Sequence, residues 1–384
     1  MPRAEAVHVQ PFPTAEELRE WLAPGDSPRI SIFLPIQRAV PEVRQNAVLL
    51  DRAAREAEQA LLTRHVFAPR AAALAAALRR ADLDLSRLGP KTAALALLLG
   101  DGPLRCIGLH VATPYSVRVA TSFALRPLLD AQQRHTHYRV LALSVNRIAL
   151  FEGAPDGLAP LALDALPASM ADLLGEELTE KQIRMRGTAR GGTSPAYYSH
   201  GSARDERKLD LRRFHEALAR ALASVLGDVS PPIVLAATDD HQSGLRAILK
   251  LPALLEEPLT GNFDHAAPSE LHERAWPIAE RWRLRCRDEA LAAWEPPRNR
   301  GKGVDLLDDV GAAAVAGRVQ RLWCDAVRAV PGRLDPATGR RVDGDPDDDF
   351  IDALVEAVLL RGGEGVPIEA ERLPSTTGLA AELR

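Results

Sequence analysis

At 384 residues the chain is longer than one hydrophobic core usually supports, so two or three domains are expected. Its 46% hydrophobic and 26% charged residues are those of a soluble globular protein, and a net charge of −4 excludes a surface uniformly positive for bulk nucleic-acid condensation, while leaving room for a local basic face. Cys106, Cys286 and Cys324 are widely spaced and form no CxxC pair, which reads as reduced thiols and not as a disulfide framework or a zinc site.

The opening stretch MPRAEAVHVQPFP has no apolar run of the signal-peptide kind, and runs such as Ala93 to Leu99 are too short to span a bilayer. A cytoplasmic protein without membrane contact is the expectation. Thr14-Ala15-Glu16-Glu17 is a capping-box pattern, which starts a first helix ended by Pro24-Gly25. Arg29 to Pro35 reads as a buried strand stopped by proline. A long helix is predicted from about Pro41 to Thr63, with Leu49, Ala53, Ala57 and Leu61 as its apolar stripe, and a second over Ala71 to Arg80. Thr92 to Leu99, Leu104 to Val111 and Tyr115 to Ala120 are strand-like runs separated by turns. These elements make an α/β domain over residues 1–131.

Arg139 to Ser144 and Arg147 to Glu152 form a hairpin about Val145-Asn146. After a loop rich in Ala, Pro and Leu comes a basic stretch, and from Arg204 a helix with Leu211, Phe214, Leu218 and Leu222 on one face. Ile233 to Ala237 is a buried strand, so residues 132–240 read as a second α/β domain. Residues 241–384 form the third. They hold a helix from Ser269 to Trp294 broken at Pro277, a helix from Val304 to Gly317, a short strand-like run over Val319 to Asp325, an exposed polar loop from Arg333 to Asp349, a helix over Asp352 to Arg361, a strand at Val366 to Ala370 and a closing strand or turn at Gly378 to Leu383.

No P-loop, GxSxG elbow, HExxH pair or dinucleotide fingerprint is present, so the common enzyme classes have no direct support and no cofactor is expected. The acidic run Asp343, Asp345, Asp347, Asp348 and Asp349 lacks the glycine placement and closing glutamate of a calcium loop, so it reads as a solvated loop capping the next helix. The histidines show no ligand spacing, and no metal site is expected. His200 alone sits inside the basic stretch.

That stretch, 181–213, holds nine Lys and Arg against three Asp and Glu, a local excess in an acidic chain. Gly191 and Gly192 let a backbone pass close to another molecule. Arg184, Arg186 and Arg190 before and about them, with Arg204, Arg207, Lys208 and Arg212 on the following helix, suit phosphates, and Tyr197 and Tyr198 suit stacking on unpaired bases. A surface loop that is basic by chance has the same composition.

A resemblance separates the two readings. Arg190-Gly191-Gly192-Thr193-Ser194, trailed by Ala203-Arg204-Asp205-Glu206-Arg207-Lys208, resembles the middle domain of archaeal and eukaryotic class I peptide-chain release factors, where the loop carries Arg-Gly-Gly-Gln-Ser before an Arg/Glu/Lys-rich helix. Ile233 to Ala237 is similar to the strand closing that domain. Gly317 to Leu322 and Leu373 to Arg384 are similar to parts of the third domain. The bacterial archaeo-eukaryotic release factor families, relatives of Pelota and of the Balon hibernation factor, are the match these motifs point to.

The resemblance implies a three-domain α/β protein with an RNase-H-like middle domain and an L30e-like third domain. It implies a factor that binds rRNA and the tRNA acceptor end near the ribosomal A site, in rescue, hibernation or translational control, with a translational GTPase as a partner at the third domain. The chain departs from the family at two points. Thr193 replaces the glutamine associated with peptidyl-tRNA hydrolysis, and the first domain lacks the Asn-Ile-Lys-Ser and Tyr-x-Cys-x-x-x-Phe motifs that read stop codons. The expectation is therefore a binder that does not decode. The alternatives are a peptidyl-tRNA hydrolase using the Thr193 N–H with His200 as base, and a protein-interaction scaffold that has lost ribosomal contact.

Overall fold

The computed structural model describes residues 7–10, 12–23, 25, 27–39, 42–84, 88, 92–162, 166–174, 200–226, 231–294 and 303–384, with side chains between 200 and 226 from Lys208 onward. The protein is mixed α/β, and its described strands form sheets of four, five and four strands and a two-stranded ladder. They lie in two compact units, Met1–His135 with Glu289–Arg384, and Thr136–Asp288.

Helix α1 (Ala15–Trp21) opens the first unit on the capping box: the Thr14 hydroxyl accepts from the Glu17 amide at 3.2 Å, and the Glu17 carboxylate accepts from the Thr14 amide at 2.8 Å. Strand β1 (Arg29–Pro35) coincides with the predicted apolar run. Helices α2 (Gln45–Thr63) and α3 (Ala68–Leu78) follow, then strands β2 (Ala94–Leu99), β3 (Arg105–Leu109) and β4 (Ser116–Ala120), and helix α4 (Arg126–Arg134). The sheet runs β3-β2-β1-β4, antiparallel throughout. Alternation divides β1 between two cores. Ile30, Ile32 and Leu34 join Leu50, Ala53, Ala57 and Leu61 of α2, whereas Phe33 joins Leu128 of α4 in a core reaching the C-terminal part of the unit.

The second unit contains β5 (Tyr138–Leu143), β6 (Ile148–Ala154), β7 (Gly157–Leu161), α5 (Met170–Leu174), α6 (His200–Val225), β8 (Ile233–Ala237), α7 (Asp239–Ile248), β9 (Leu259–Thr260) and α8 (Pro268–Ala292). Its strand order is β7-β6-β5-β8-β9, with β6 antiparallel to both neighbours and β5, β8 and β9 parallel, which is an RNase-H-like layout. The boundary expected after residue 240 falls within the first turn of α7. The chain beyond it still completes this sheet: β9 adds its edge, and Leu271, Ala275 and Ile278 of α8 share a core with Tyr138 and Val140 of β5. Helix α8 runs through Pro277 without the expected break, its buried residues lying on both sides of the proline. Burial of that face outweighs the one backbone donor that Pro277 removes.

Returning to the first unit, the chain forms β10 (Gly303–Val304), α9 (Leu307–Val315), β11 (Val319–Asp325), the ladder of β12 (Arg333–Leu334) and β13 (Arg341–Val342), α10 (Phe350–Leu360), β14 (Glu364–Ile368) and β15 (Leu379–Leu383). The third sheet is ordered β10-β15-β11-β14, with β11 and β14 parallel.

The stretch Arg333 to Asp349, expected to be a solvated loop, holds the ladder and ends in two buried aspartates, each 2% exposed. Asp349 does cap α10, accepting from the Ile351 amide at 2.9 Å. The burial has a cause far away in sequence. Arg64, Arg118 and Arg126 of the N-terminal part reach Asp345, Asp348, Asp349 and Asp352, and Arg29 reaches Glu356 at 3.2 Å. Burial raises the Asp348 carboxyl, but the amides of Thr121 and Asp345 and the Arg64 guanidinium outweigh it and hold it below the usual range. For Asp349 burial wins over Arg126, and its carboxyl is raised. Guanidinium forks suit such paired carboxylates because several N–H donors act at once.

Candidate nucleic-acid interface

Arg184, Arg186, Arg190, Gly191, Gly192, Thr193, Tyr197 and Tyr198 lie outside the described residues. His200, Arg204 and Arg207 lie on the first turns of α6, with side chains outside the described set. Lys208 and Arg212 are described, one turn apart on α6 and both exposed.

The opposite face of α6 fixes the orientation of this pair. Phe214, Leu218 and Leu222 are completely buried and Leu211 packs at the core edge, as the apolar stripe predicts. The stripe docks α6 against α7, which follows β8 directly after Thr238. Between the two helices is a cavity of about 420 Å³ whose rim carries Lys208, Arg212 and Asp240 and whose lining includes Leu211, His215 and Gly244. Arg212 bonds Glu216 at 2.9 Å one turn on, and Arg213 stands 3.9 Å from Asp210. Exposed pairs of this kind hold their charges weakly, so the cations remain available to phosphate.

Beneath the rim lies a feature that the histidine spacing did not reveal. His215, 2% exposed, and His241, 5% exposed, meet through Nε2 and Nδ1 at 3.0 Å, with their rings 83° apart. Burial, and then the neighbouring His241, pushes His215 down to about 4. Burial also lowers His241, against the opposing carboxylates of Asp240 and Asp264. Both rings are therefore neutral at pH 7, one donating and the other accepting. The His215 ring lies where a Cβ on residue 244 would be, so this packing requires Gly244. The available signal was positional: His215 follows Phe214 on the apolar face, and His241 follows Asp240 at the end of a buried strand.

This arrangement can hold a polyanion. It places cations over a neutral, preorganised floor, and no described carboxylate pairs with Lys208. No helix among the described residues is long and apolar enough to cross a membrane.

Residues 137–318, just under half of the chain, match the model of the bacterial archaeo-eukaryotic release factor family 3. No curated protein matches the chain. Among solved structures, Archaeoglobus fulgidus Pelota is 14% identical with a TM-score of 0.31, covering 76% of this chain and 78% of its own. The archaeal translation termination factor aRF1 is 16% identical with a TM-score of 0.19, covering 96% and 95%. A model of ribosome-bound archaeal Pelota and ABCE1 gives 12% identity and a TM-score of 0.34, covering 98% and 95%. Superpositions at these scores assign no role to any residue of this chain. The matched stretch runs from β5 through the basic segment and α6 to the start of β11, and over it the chain is similar to the bacterial archaeo-eukaryotic release factor family 3.

Proposed function

We propose that the chain is a ribosome-associated factor that binds rRNA and the tRNA acceptor end near the A site and acts in rescue, hibernation or translational control without reading a codon. The observation that carries this reading is the family match over residues 137–318, which contains the whole basic stretch. The exposed Lys208 and Arg212 above the α6–α7 groove support it from the structure. Arg184, Arg186, Arg190, Arg204 and Arg207 extend the same charge along the sequence, and Gly191-Gly192-Thr193 is the tip that approaches the acceptor end. Thr193 is too short to place a carboxamide where the family glutamine would, so this reading assigns binding to the loop and leaves hydrolysis out of it.

The partners that follow are the ribosome and, at an L30e-like C-terminal segment, a translational GTPase. Sucrose-gradient sedimentation with vacant ribosomes tests the reading. The protein is expected in ribosomal fractions at low salt and is released steeply as salt rises. Absence from those fractions at low salt, with and without stress, would sink it.

A further inference from the structure

A second cavity lies within the first unit. It measures about 480 Å³, opens to solvent and is bordered by the turn after β4, the β12–β13 ladder and one face of α10. That volume suits a small organic molecule. Its wall divides by chemistry. Val315, Leu334, Val342 and Leu360 form an apolar side. Thr121, Ser122 and Glu356 lie on the polar side, and Arg333 and Arg361 are exposed at the lining.

Three observations bear on what this cavity takes. First, Ser122 is 5% exposed, yet its Oγ has no hydrogen-bond partner among the described residues. The neighbouring amides of Thr121, Phe123 and Ala124 are all bound to side chains. A buried hydroxyl left without a partner calls for a missing acceptor or donor. Second, Arg333 and Arg361 bond only backbone carbonyls, of Asp343 and Ala357, each at 3.3 Å, and pair with no described carboxylate. Arg29, Arg64, Arg118 and Arg126, by contrast, are committed to Glu356, Asp348 and Asp352. Third, the two lining carboxylates are already engaged. Asp335 accepts from the Ala337 amide and the Thr338 hydroxyl, and Glu356 is bound by Arg29 and the Phe123 amide. Burial pushes the Glu356 carboxyl up to about 7, so near neutral pH it carries only part of a negative charge.

We propose that this cavity binds a small organic anion, its carboxylate or phosphate held by Arg333, Arg361 and the Ser122 hydroxyl and its apolar body laid against Val315, Leu334, Val342 and Leu360. The site is independent of the ribosomal reading, so either can fail without the other. It differs from the arginine–carboxylate cluster beside it, because its cations have no acidic partner among the described residues.

Calorimetry and amide NMR on the full chain, with benzoate, phenyl phosphate, inorganic phosphate and neutral benzamide as probes, test this. Benzoate or phenyl phosphate is expected to bind more tightly than inorganic phosphate and benzamide, with shifts at Ser122, Val342 and Leu360. Arg333→Gln/Arg361→Gln should weaken that binding by roughly tenfold or more, as loss of charge-assisted hydrogen bonds requires. Both side chains are exposed, so the double variant is expected to keep its melting transition, and Ser122→Ala gives an independent loss of affinity. Binding that is equal for benzoate and benzamide, binding that survives the double variant, or no saturable binding by any probe would overturn the proposal.

Discussion

Helices α6 and α10 are both rich in charge and use it in opposite ways. On α10 the charges are buried: Asp349 at its cap and Asp352 are nearly inaccessible and are held by Arg118 and Arg126 from the N-terminal part of the same unit. On α6, Lys208, Arg212 and Arg213 face solvent, and the pairs that Arg212 and Arg213 make lie within the helix. A buried charge with a distant partner is committed to the fold. An exposed charge with only a local partner costs little to divert, and is therefore free for a ligand.

The largest effect should come from breaking the buried cluster. Arg126→Met leaves Asp349 and Asp352 short of a partner and is expected to destabilise the first unit by about 3–5 kcal/mol in urea denaturation. A loss comparable to that of a surface substitution would show that the cluster contributes little.

Next comes acid. Because the His215 pKa falls from 6.5 to about 4 on folding, its contribution is complete above pH 6.5 and is lost as pH drops toward 4. Denaturation midpoints across that range should decline more steeply in the wild type than in His215→Phe, by up to about 1.4 kcal/mol per pH unit. Parallel pH profiles would mean that the pair is not held neutral by the fold.

Glu356 titrates with the opposite sign. Its folded value of about 7 lies above the ordinary 4.5, so its contribution is complete below 4.5 and is lost as pH rises through 7. Glu356→Gln should therefore cost under about 1 kcal/mol at pH 8, since the amide avoids burying a charge. Arg29 also keeps the carbonyls of Trp21, Leu22 and Ala23. A loss near that of Arg126→Met would show that the ionised Glu356 pair is itself stabilising.

The same contrast explains what could be read in advance. Strands β1 and β8 coincide with their predicted spans because each is a short, nearly continuous apolar run bounded by turn residues. The Thr14–Glu17 capping box is a local motif and formed as read. Strand β7 has no sequence signal because it is a partly exposed edge carrying Pro160, with no alternating pattern to mark it. The partners of Asp348, Asp349 and Asp352 lie more than two hundred positions upstream, so the acidic run looked like a solvated loop. His215 and His241 are 26 positions apart, and each alone is unremarkable. The basic character of α6 was legible because exposed charges carry no hidden partner, and its apolar stripe indicated which face would be left outside.

The smallest effect on stability should therefore accompany the largest effect on binding. Lys208→Glu/Arg212→Glu is expected to shift folding stability by within about 0.5 kcal/mol, as exposed substitutions do. Filter binding to vacant ribosomes at low salt measures the other half of the claim. We predict at least a roughly tenfold loss of affinity for the double variant and a shallower dependence on salt than the wild type shows. Equal affinity and equal salt dependence in the two proteins would contradict the assignment of this helix face to nucleic acid.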